Sequence, residues 1–486
     1  MQDFVLITED IKNIISNDFF IGLILLSGVY FTIRLVFPQF RFAKQLKWAL
    51  SDNAGSKDDG ISPFQAFITA LGARVGVGNV AGIASAIATG GPGAIFWIWI
   101  FGIFGSAISF LEGVLGQAYK LKDGDEFLGG AAWYIWRGFK NKKLSKAIGL
   151  LFAVIAVVSF GILMPGVQSN TVVNSIHQGF GADKTITIVV AAIFIALIIW
   201  GGIKSIGKIE AILTPIKCVA YLAFAAIVIC YYGEYLGETF EAIITSALGI
   251  NAVFGGIVGQ AITMGVRRGI YSTDVAYGPG GTFAAAARCD HPVKQGILQA
   301  LSVLLSTLLI CTATALMVIQ TGAGQIVAPN GDILYSGPSF PGTAAGAEWV
   351  QAALKSVPIL EAWAPQVLAV MIAIFAVGTI IGFYYIIENN LRFIMGKTNK
   401  GAIFITKLVF LAALVISAVV DSSFIWNTAD IGMGMLGWIN IICLLFLSPK
   451  AVAIVKDFTN EIKAKEKPKF VPEKYGIDDS TGAWKN

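Results

Sequence analysis

A chain of 486 residues that is 56% hydrophobic and 13% charged, with a mean hydropathy of +0.73, is not an ordinary soluble domain, because such domains carry about 25% charged residues. The composition is that of a polytopic membrane protein, with 33 Phe and 11 Trp for lipid-facing surfaces and interface belts. Cys218, Cys230, Cys289, Cys311 and Cys443 lack CxxC spacing and are expected as free thiols, and His177 and His291 alone cannot build a histidine metal site.

Residues 1–18 are acidic and lack the basic start of a cleavable signal, so the first apolar helix is expected to act as the insertion signal. A span needs about 20 apolar residues. Eleven segments are predicted: 19–37, 63–90, 94–119, 147–176, 185–202, 209–231, 250–288 (interrupted), 293–320, 365–391, 403–420 and 425–447. Of the 35 Lys and Arg, 27 fall in one set of connections: 34–57, 120–146, Lys204 and Lys208, Arg288 and Lys294, 392–400, and the tail from Lys450. The opposite set holds Lys12, Lys184 and Lys355. The basic face is cytoplasmic by the positive-inside rule, which puts the amino terminus outside and the tail inside a cell membrane. The organisation expected is a leading helix and basic loop (1–60), two five-helix units (61–231 and 232–447) and a cytoplasmic tail (448–486).

Within the connections, GDEFLGGAAWYIWRGF (124–139) predicts an interfacial helix. The outer stretch 321–364 predicts a partly structured cap. The tail after Phe458 alternates Lys and Glu and reads as solvated and partly disordered.

Two segments break the helical pattern. TALGARVGVGNVAGIASAIATGGPG (69–93) places six glycines from Gly76 onward inside a spanning segment. Each interior glycine weakens a helix by roughly 1 kcal/mol. Such a cluster serves either close packing of small residues or an opened backbone that lines a cavity. The second is GVRRGIYSTDVAYGPGG (265–281), in a segment about twice the length of one crossing. Discontinuous helices in corresponding positions of two halves point to a transport site at mid-membrane. These are the second and seventh segments, or the first and sixth once the leading helix is set aside. The pattern predicts a five-plus-five inverted repeat.

With these residues in view, the chain resembles the alanine or glycine:cation symporter family over roughly residues 60–450. The resemblance is carried by TALGARVGVGNVAGIASAIATGGPGAIFWIW, RRGIYSTDVAYGPGGTFAAAARCDHPVKQG and TLLICTATAL. It implies an all-α LeuT-type fold of eleven transmembrane helices, sodium-driven uptake of a small neutral amino acid, and no cofactor beyond the coupling ion. Partners would be that amino acid, sodium and the bilayer, with no nucleic acid, and the protein would be a monomer or weak oligomer. Carried over by position, the substrate carboxylate would lie at the amides around Gly76 and Gly78 and the side chain of Asn79. Gln168 (in ILMPGVQSN) would reach the substrate, and the second break would contribute Tyr271, Ser272 and Thr273. Thr379 and Phe383 share one helix face, with Phe383 limiting side-chain size. Gly72, Val75, Phe375, Gly378 and Thr379 would hold sodium. The chain departs from the family pattern at Val77 and Gly378, where hydroxyl residues are common, at Thr273-Asp274-Val275-Ala276 in place of Asn-Glu-Ala-Gly, and at Ser306 in place of Asp. These positions bear on substrate identity and cation coupling.

Arg74, Glu112, Lys217, Asp274 and Glu388 lie in or near apolar spans, where a central charge costs about 2.5–3.5 kcal/mol and calls for a role or a partner. For Arg74 an ion pair with Glu112 or Asp274 is expected, ahead of a place near the cation or snorkelling to the interface. Glu388 and Arg392 are spaced for an i,i+4 pair. Both histidines read as structural or solvated. Competing functions are a transporter with another amino acid or proton coupling, a channel, and a membrane-embedded enzyme. For the enzyme, no HExxH, Walker loop, or GxSxG with a suitable His and Asp occurs.

Overall fold

The structure, a computed structural model, describes residues 2–52, 59–200, 202–251, 253–396 and 399–484. Of the basic loop positions counted above, Lys57, Lys397 and Lys485 lie outside the described residues. In chain order the principal helices are α1 Gln2–Ile15, α2 Asp18–Arg34, α3 Pro63–Arg74, α4 Ala81–Gly90, α5 Gly93–Ala118, α6 Ala131–Gly138, α7 Lys142–Val158, α8 Pro165–Phe180, α9 Lys184–Ile199 and α10 Gly202–Tyr231. There follow α11 Leu236–Ala247, α12 Val258–Thr273, α13 Pro279–Ala285, α14 Pro292–Leu305, α15 Thr312–Thr321, α16 Ala347–Lys355, α17 Ala364–Met395, α18 Lys400–Ser417 and α19 Ser422–Lys463. Among the described residues, seven helices are long and apolar enough to cross a membrane, and up to nine if two bent pairs each count as one span. α9, with 16 residues, and the α12–α13 pair fall below that test.

Polar caps start the spans. Asn17, Asn141, Asp183, Asn399 and Asp421 each accept a backbone N–H of the helix they precede. α3 begins with a capping box, Ser62 with Gln65, and Pro63 in its first turn, which satisfies donors that lipid cannot. α5 and α17 are inner helices, with 67% and 72% of their most apolar stretch buried. α18 (22%) and the 205–231 stretch of α10 (28%) turn most of their surface outward.

Both predicted breaks are present, and they are made differently. α3 ends at Arg74, Gly76 is extended, a single 3-10 turn covers Val77–Asn79, and α4 leaves at 55° to α3. α12 runs straight through Gly265 and Gly269 and stops at Asp274 (φ 51°), followed by Ala276 (φ 78°) and Gly278 (φ 105°). Left-handed backbone at two non-glycine residues costs roughly 1–2 kcal/mol each, so tertiary contacts must hold it. Pro279 restarts the chain as α13. Ile61, just before α3, pairs with Ala286 and Arg288, just after α13, through Ile61 N–H to Ala286 O (3.1 Å) and Arg288 N–H to Ile61 O (2.9 Å). The first broken helix therefore begins on the face where the second ends.

Two π-helical turns, Ser159–Leu163 between α7 and α8 and Ser306–Cys311 between α14 and α15, lie in otherwise continuous spans. Such bulges are frequent at functional sites.

Several expectations are corrected. The segment 253–257 is a turn followed by a single 3-10 turn, Gly255–Ile257, and the helix starts at Val258. The 120–146 connection is a hairpin (β1 Leu121–Asp123, β2 Glu126–Leu128) plus the expected helix, α6, whose Trp133 and Tyr134 are buried in the protein. The outer connection is structured as predicted, with β3 Gln325–Val327, β4 Ile333–Ser336 and α16. The tail is not a free end: the Phe470 ring stacks on Tyr475 (5.5 Å) and meets Trp484 (4.5 Å), and Lys120 Nζ lies 4.4 Å from the Trp484 ring. The five cysteines are free thiols.

Candidate substrate cavity and ion position

Gly76, Gly78, Gln168, Tyr271, Ser272, Thr379 and Phe383, all predicted for the substrate, line one small cavity of about 10 Å³. They arrive from the first break, α8, α12 and α17, up to 307 positions apart in the chain. The volume is room for about one water molecule, far below the roughly 300–1,000 Å³ of pockets for drug-sized ligands, so a bound amino acid requires these walls to move apart.

The glycines answer both readings of the sequence. A Cβ on Gly76 would fall 2.2 Å from Thr379 Oγ1, and one on Gly78 would fall 3.0 Å from the Tyr271 ring. Only bare backbone lets α12 and α17 approach the opened turn. Thr379 Oγ1 donates to Ala73 O (2.8 Å), and Val77 N–H donates to Gln168 Oε1 (3.3 Å). Phe383 packs on Phe160 in the first π turn (ring centroids 5.2 Å apart), closing one wall. Tyr271 packs on Trp426 (5.2 Å).

Asn79 and Thr273 stand behind the cavity. Asn79 Oδ1 accepts Gly76 N–H (3.1 Å), and its Nδ2 donates to Ser306 Oγ (2.7 Å) in the second π turn. Ser306 Oγ in turn donates to Ser272 O (3.3 Å). Asn79 therefore ties the first break to the second. Thr273 Oγ1 donates to Gly269 O (2.7 Å) within α12.

Two charged residues that the pattern did not assign to the substrate also line the cavity, Arg74 and Asp274. The expected ion pair of Arg74 is absent among the described residues, and neither Glu112 nor Asp274 lies within 4.0 Å of it. Arg74 instead donates to Ser109 Oγ (3.0 Å), Gln299 O (3.1 Å) and Ser302 Oγ, and at 2% exposure it does not snorkel. Glu112 accepts Asn440 Nδ2 (2.7 Å) and Gly278 N–H (3.1 Å), placing a carboxylate at the start of α13, where the helix dipole favours negative charge. Tyr277 OH donates to Asp274 Oδ1, while Asp274 Oδ2 is buried without a hydrogen-bond partner among the described residues. The cavity thus presents a guanidinium and a carboxylate with one unmatched oxygen. An acid inside the second break was the available signal for it.

The predicted ion residues occupy the seam between α3 and α17, and a side chain is already there. Lys217 of α10 donates from Nζ to Gly72 O (2.8 Å), with Glu210 Oε2 at 4.0 Å. A Cβ on Gly378 would lie 2.4 Å from Lys217 Nζ, and one on Gly72 would lie 1.9 Å from Glu210 Oε2. Val75 and Phe375 are fully buried beside them. Two like charges about 4 Å apart repel by about 4 kcal/mol at an effective dielectric of about 20.

Further from the cavity, Arg268 reaches Asp430 of α19 (2.8 and 3.3 Å) and lies 4.3 Å over the Trp426 ring. Glu388 and Arg392 form the expected pair (2.6 Å), and Arg392 also reaches Glu126 (2.7 Å). His291 is buried and accepts Val293 N–H at the start of α14, whereas His177 sits exposed at the end of α8. Among the described residues no group of His, Cys, Asp and Glu could hold a metal ion.

Comparison with known proteins bears on this geometry. Residues 1–472 match the family described as the sodium:alanine symporter family. A sodium/proton-dependent alanine carrier protein of Bacillus sp. (strain PS3) is 35% identical over 89% of this chain and 95% of its own length. The sodium/alanine symporter AgcS of Methanococcus maripaludis is 34% identical over 96% of this chain and 99% of its own. Among solved structures, MhsT in complex with L-phenylalanine superposes with a TM-score of 0.55 at 15% identity, covering 82% of this chain and 99% of that one. That likeness shows a shared LeuT-like fold. The relatives are transporters rather than enzymes. On the full-length match and on relatives above 30% identity, the chain belongs to the sodium:alanine symporter family.

Proposed function

We propose that the chain is a secondary active transporter that carries a small neutral amino acid, alanine or glycine, into the cell in symport with a cation, sodium being the ion in the family's name. The observation that carries this reading is the convergence of predicted residues from four separate elements on one small cavity. The substrate carboxylate would face the Gly76–Gly78 turn and the Arg74 side of the cavity, and its ammonium would face Asp274 Oδ2. Gln168 would hand Val77 N–H to the ligand, and Phe383 would bar larger side chains.

In the same reading the spans number eleven, counting α9 and the α12–α13 pair with the nine. They form a leading helix and two inverted five-helix repeats, 61–231 and 232–447. The start of the first broken helix beside the end of the second, at Ile61 and Ala287, supports that inversion. The amino terminus is outside and the tail is cytoplasmic. Alternating access would rock α3–α4 and α12–α13 against the remaining helices.

Uptake of labelled amino acids by proteoliposomes tests the proposal. Saturable, gradient-driven accumulation of alanine or glycine is expected, and non-saturating flux or current without competition would contradict it.

A further inference from the structure

We propose that in this chain the ammonium of Lys217 is a tethered cation that stands in the seam between α3 and α17, so that no sodium ion binds there and substrate binding is independent of sodium. This departs from the sodium coupling that family membership brings.

The first ground is position. Lys217 Nζ is 2.8 Å from Gly72 O, lies where a side chain on Gly378 would project, and sits 5.8 Å from the Phe375 ring. It therefore meets three of the five residues that the family pattern assigns to the ion. The second is the donor set. A hard cation wants a shell of about six oxygens. Gly378 supplies no hydroxyl, and the Thr379 hydroxyl is turned to Ala73 O. An ammonium has three donors and no acceptor, and so suits carbonyls that would otherwise face an ion.

The third ground is charge. α10 is mostly an outward-facing helix, yet its buried stripe is polar: Glu210, Thr214, Lys217 and Tyr221 are each at most 2% exposed. Glu210 accepts Thr214 Oγ1 through Oε2, and its Oε1 has no hydrogen-bond partner among the described residues. The pair brings its own counter-charge, and a further cation would leave the seam positive. Glycine at both 72 and 378 makes the room, since a Cβ at either position would collide with this pair.

The test uses the purified full chain in sodium chloride and in choline chloride at equal ionic strength. Two readouts are taken, thermal unfolding without amino acid and equilibrium binding of labelled alanine. For the wild type, the unfolding midpoint is expected to be the same in both salts, and the alanine affinity to change less than about twofold. For Lys217→Gln, which leaves Glu210 free to attract a cation, sodium should raise alanine affinity about tenfold, equivalent to about 1.4 kcal/mol. Should that variant not fold, the double variant Lys217→Met with Glu210→Gln removes the buried charge pair, and its alanine binding should be equal in the two salts. Sodium-specific stabilisation of the wild type, or alanine binding by it only in sodium, overturns the proposal. The alanine readout rests on the transport reading. If no amino acid binds in either salt, that reading fails, and the unfolding comparison alone still decides on Lys217.

Discussion

The substrate cavity and the ion position are neighbours on the same opened stretch of backbone, a few residues apart, and they are furnished in opposite ways. The cavity keeps polar atoms in reserve: Asp274 Oδ2 has no hydrogen-bond partner among the described residues, and the Val77 amide is held only by a 3.3 Å contact to Gln168. The ion position also keeps an oxygen without a hydrogen-bond partner among the described residues, Glu210 Oε1, but it has an ammonium of its own beside it. Lys217 Nζ lies 4.0 Å from Glu210 Oε2 and binds Gly72 O, and Thr379 binds Ala73 O. A buried unpaired polar atom costs about 1–3 kcal/mol, so a fold that retains one beside a small cavity is prepared for a ligand. A fold that fills the adjacent seam with its own ammonium has taken a ligand's place there. Membership of a sodium symporter family does not by itself distinguish these two conditions, whereas the side chains do.

The comparison breaks first at Asp274. Asp274→Asn removes the charge proposed to meet the substrate ammonium. Loss of one member of a buried charged contact is worth about 2–5 kcal/mol, so alanine binding should weaken at least about thirtyfold. Equilibrium binding checks this, and unchanged affinity would remove Asp274 from the site. The wall opposite gives a smaller effect. Phe383→Ala should admit larger side chains, shifting the preference between alanine and a larger apolar amino acid by at least about tenfold, the low end for a single methylene in an apolar pocket. Competition binding with leucine measures the shift.

A third change separates stability from binding. Burial pushes the His291 imidazole down from 6.5 to about 3. Its folded value is depressed, so its neutral form contributes stability in full above about 6.5, and that contribution is lost as pH falls towards 3. The unfolded chain takes up the proton first, and the loss approaches about 1.4 kcal/mol per pH unit. His291→Asn keeps an acceptor for Val293 N–H and should flatten the acid limb of the unfolding midpoint, leaving alanine affinity at neutral pH unchanged.

The first break was legible because glycine is a local signal: Gly76 and Gly78 sit where the side chains of Thr379 and Tyr271 press on the turn, and Ser62 with Gln65 marks where α3 begins. The second break was legible in place and not in cause. Its interior glycines, Gly265 and Gly269, are helical, and the turn is made by Asp274 and Ala276 in left-handed geometry. Tyr277 on Asp274 and Glu112 on the Gly278 amide hold it there, and Glu112 lies 166 positions from Gly278.

The same distance in sequence hid the charges. Lys217 reaches a carbonyl 145 positions away. Arg74 found two hydroxyls and a carbonyl where a carboxylate was expected, because the helices that bring Ser109, Gln299 and Ser302 to it are set by packing. In the tail, Phe470, Tyr475 and Trp484 are too sparse to register beside the Lys and Glu run. They fold back because Phe470 stacks on Tyr475 and meets Trp484 edge to face.

Equilibrium binding of labelled alanine to the purified wild-type chain, competed by glycine and by leucine, decides whether the space between the two breaks is a site for a small amino acid. Saturable binding displaced by glycine and untouched by leucine is the predicted result. No saturable binding, or displacement by leucine as readily as by glycine, would contradict it.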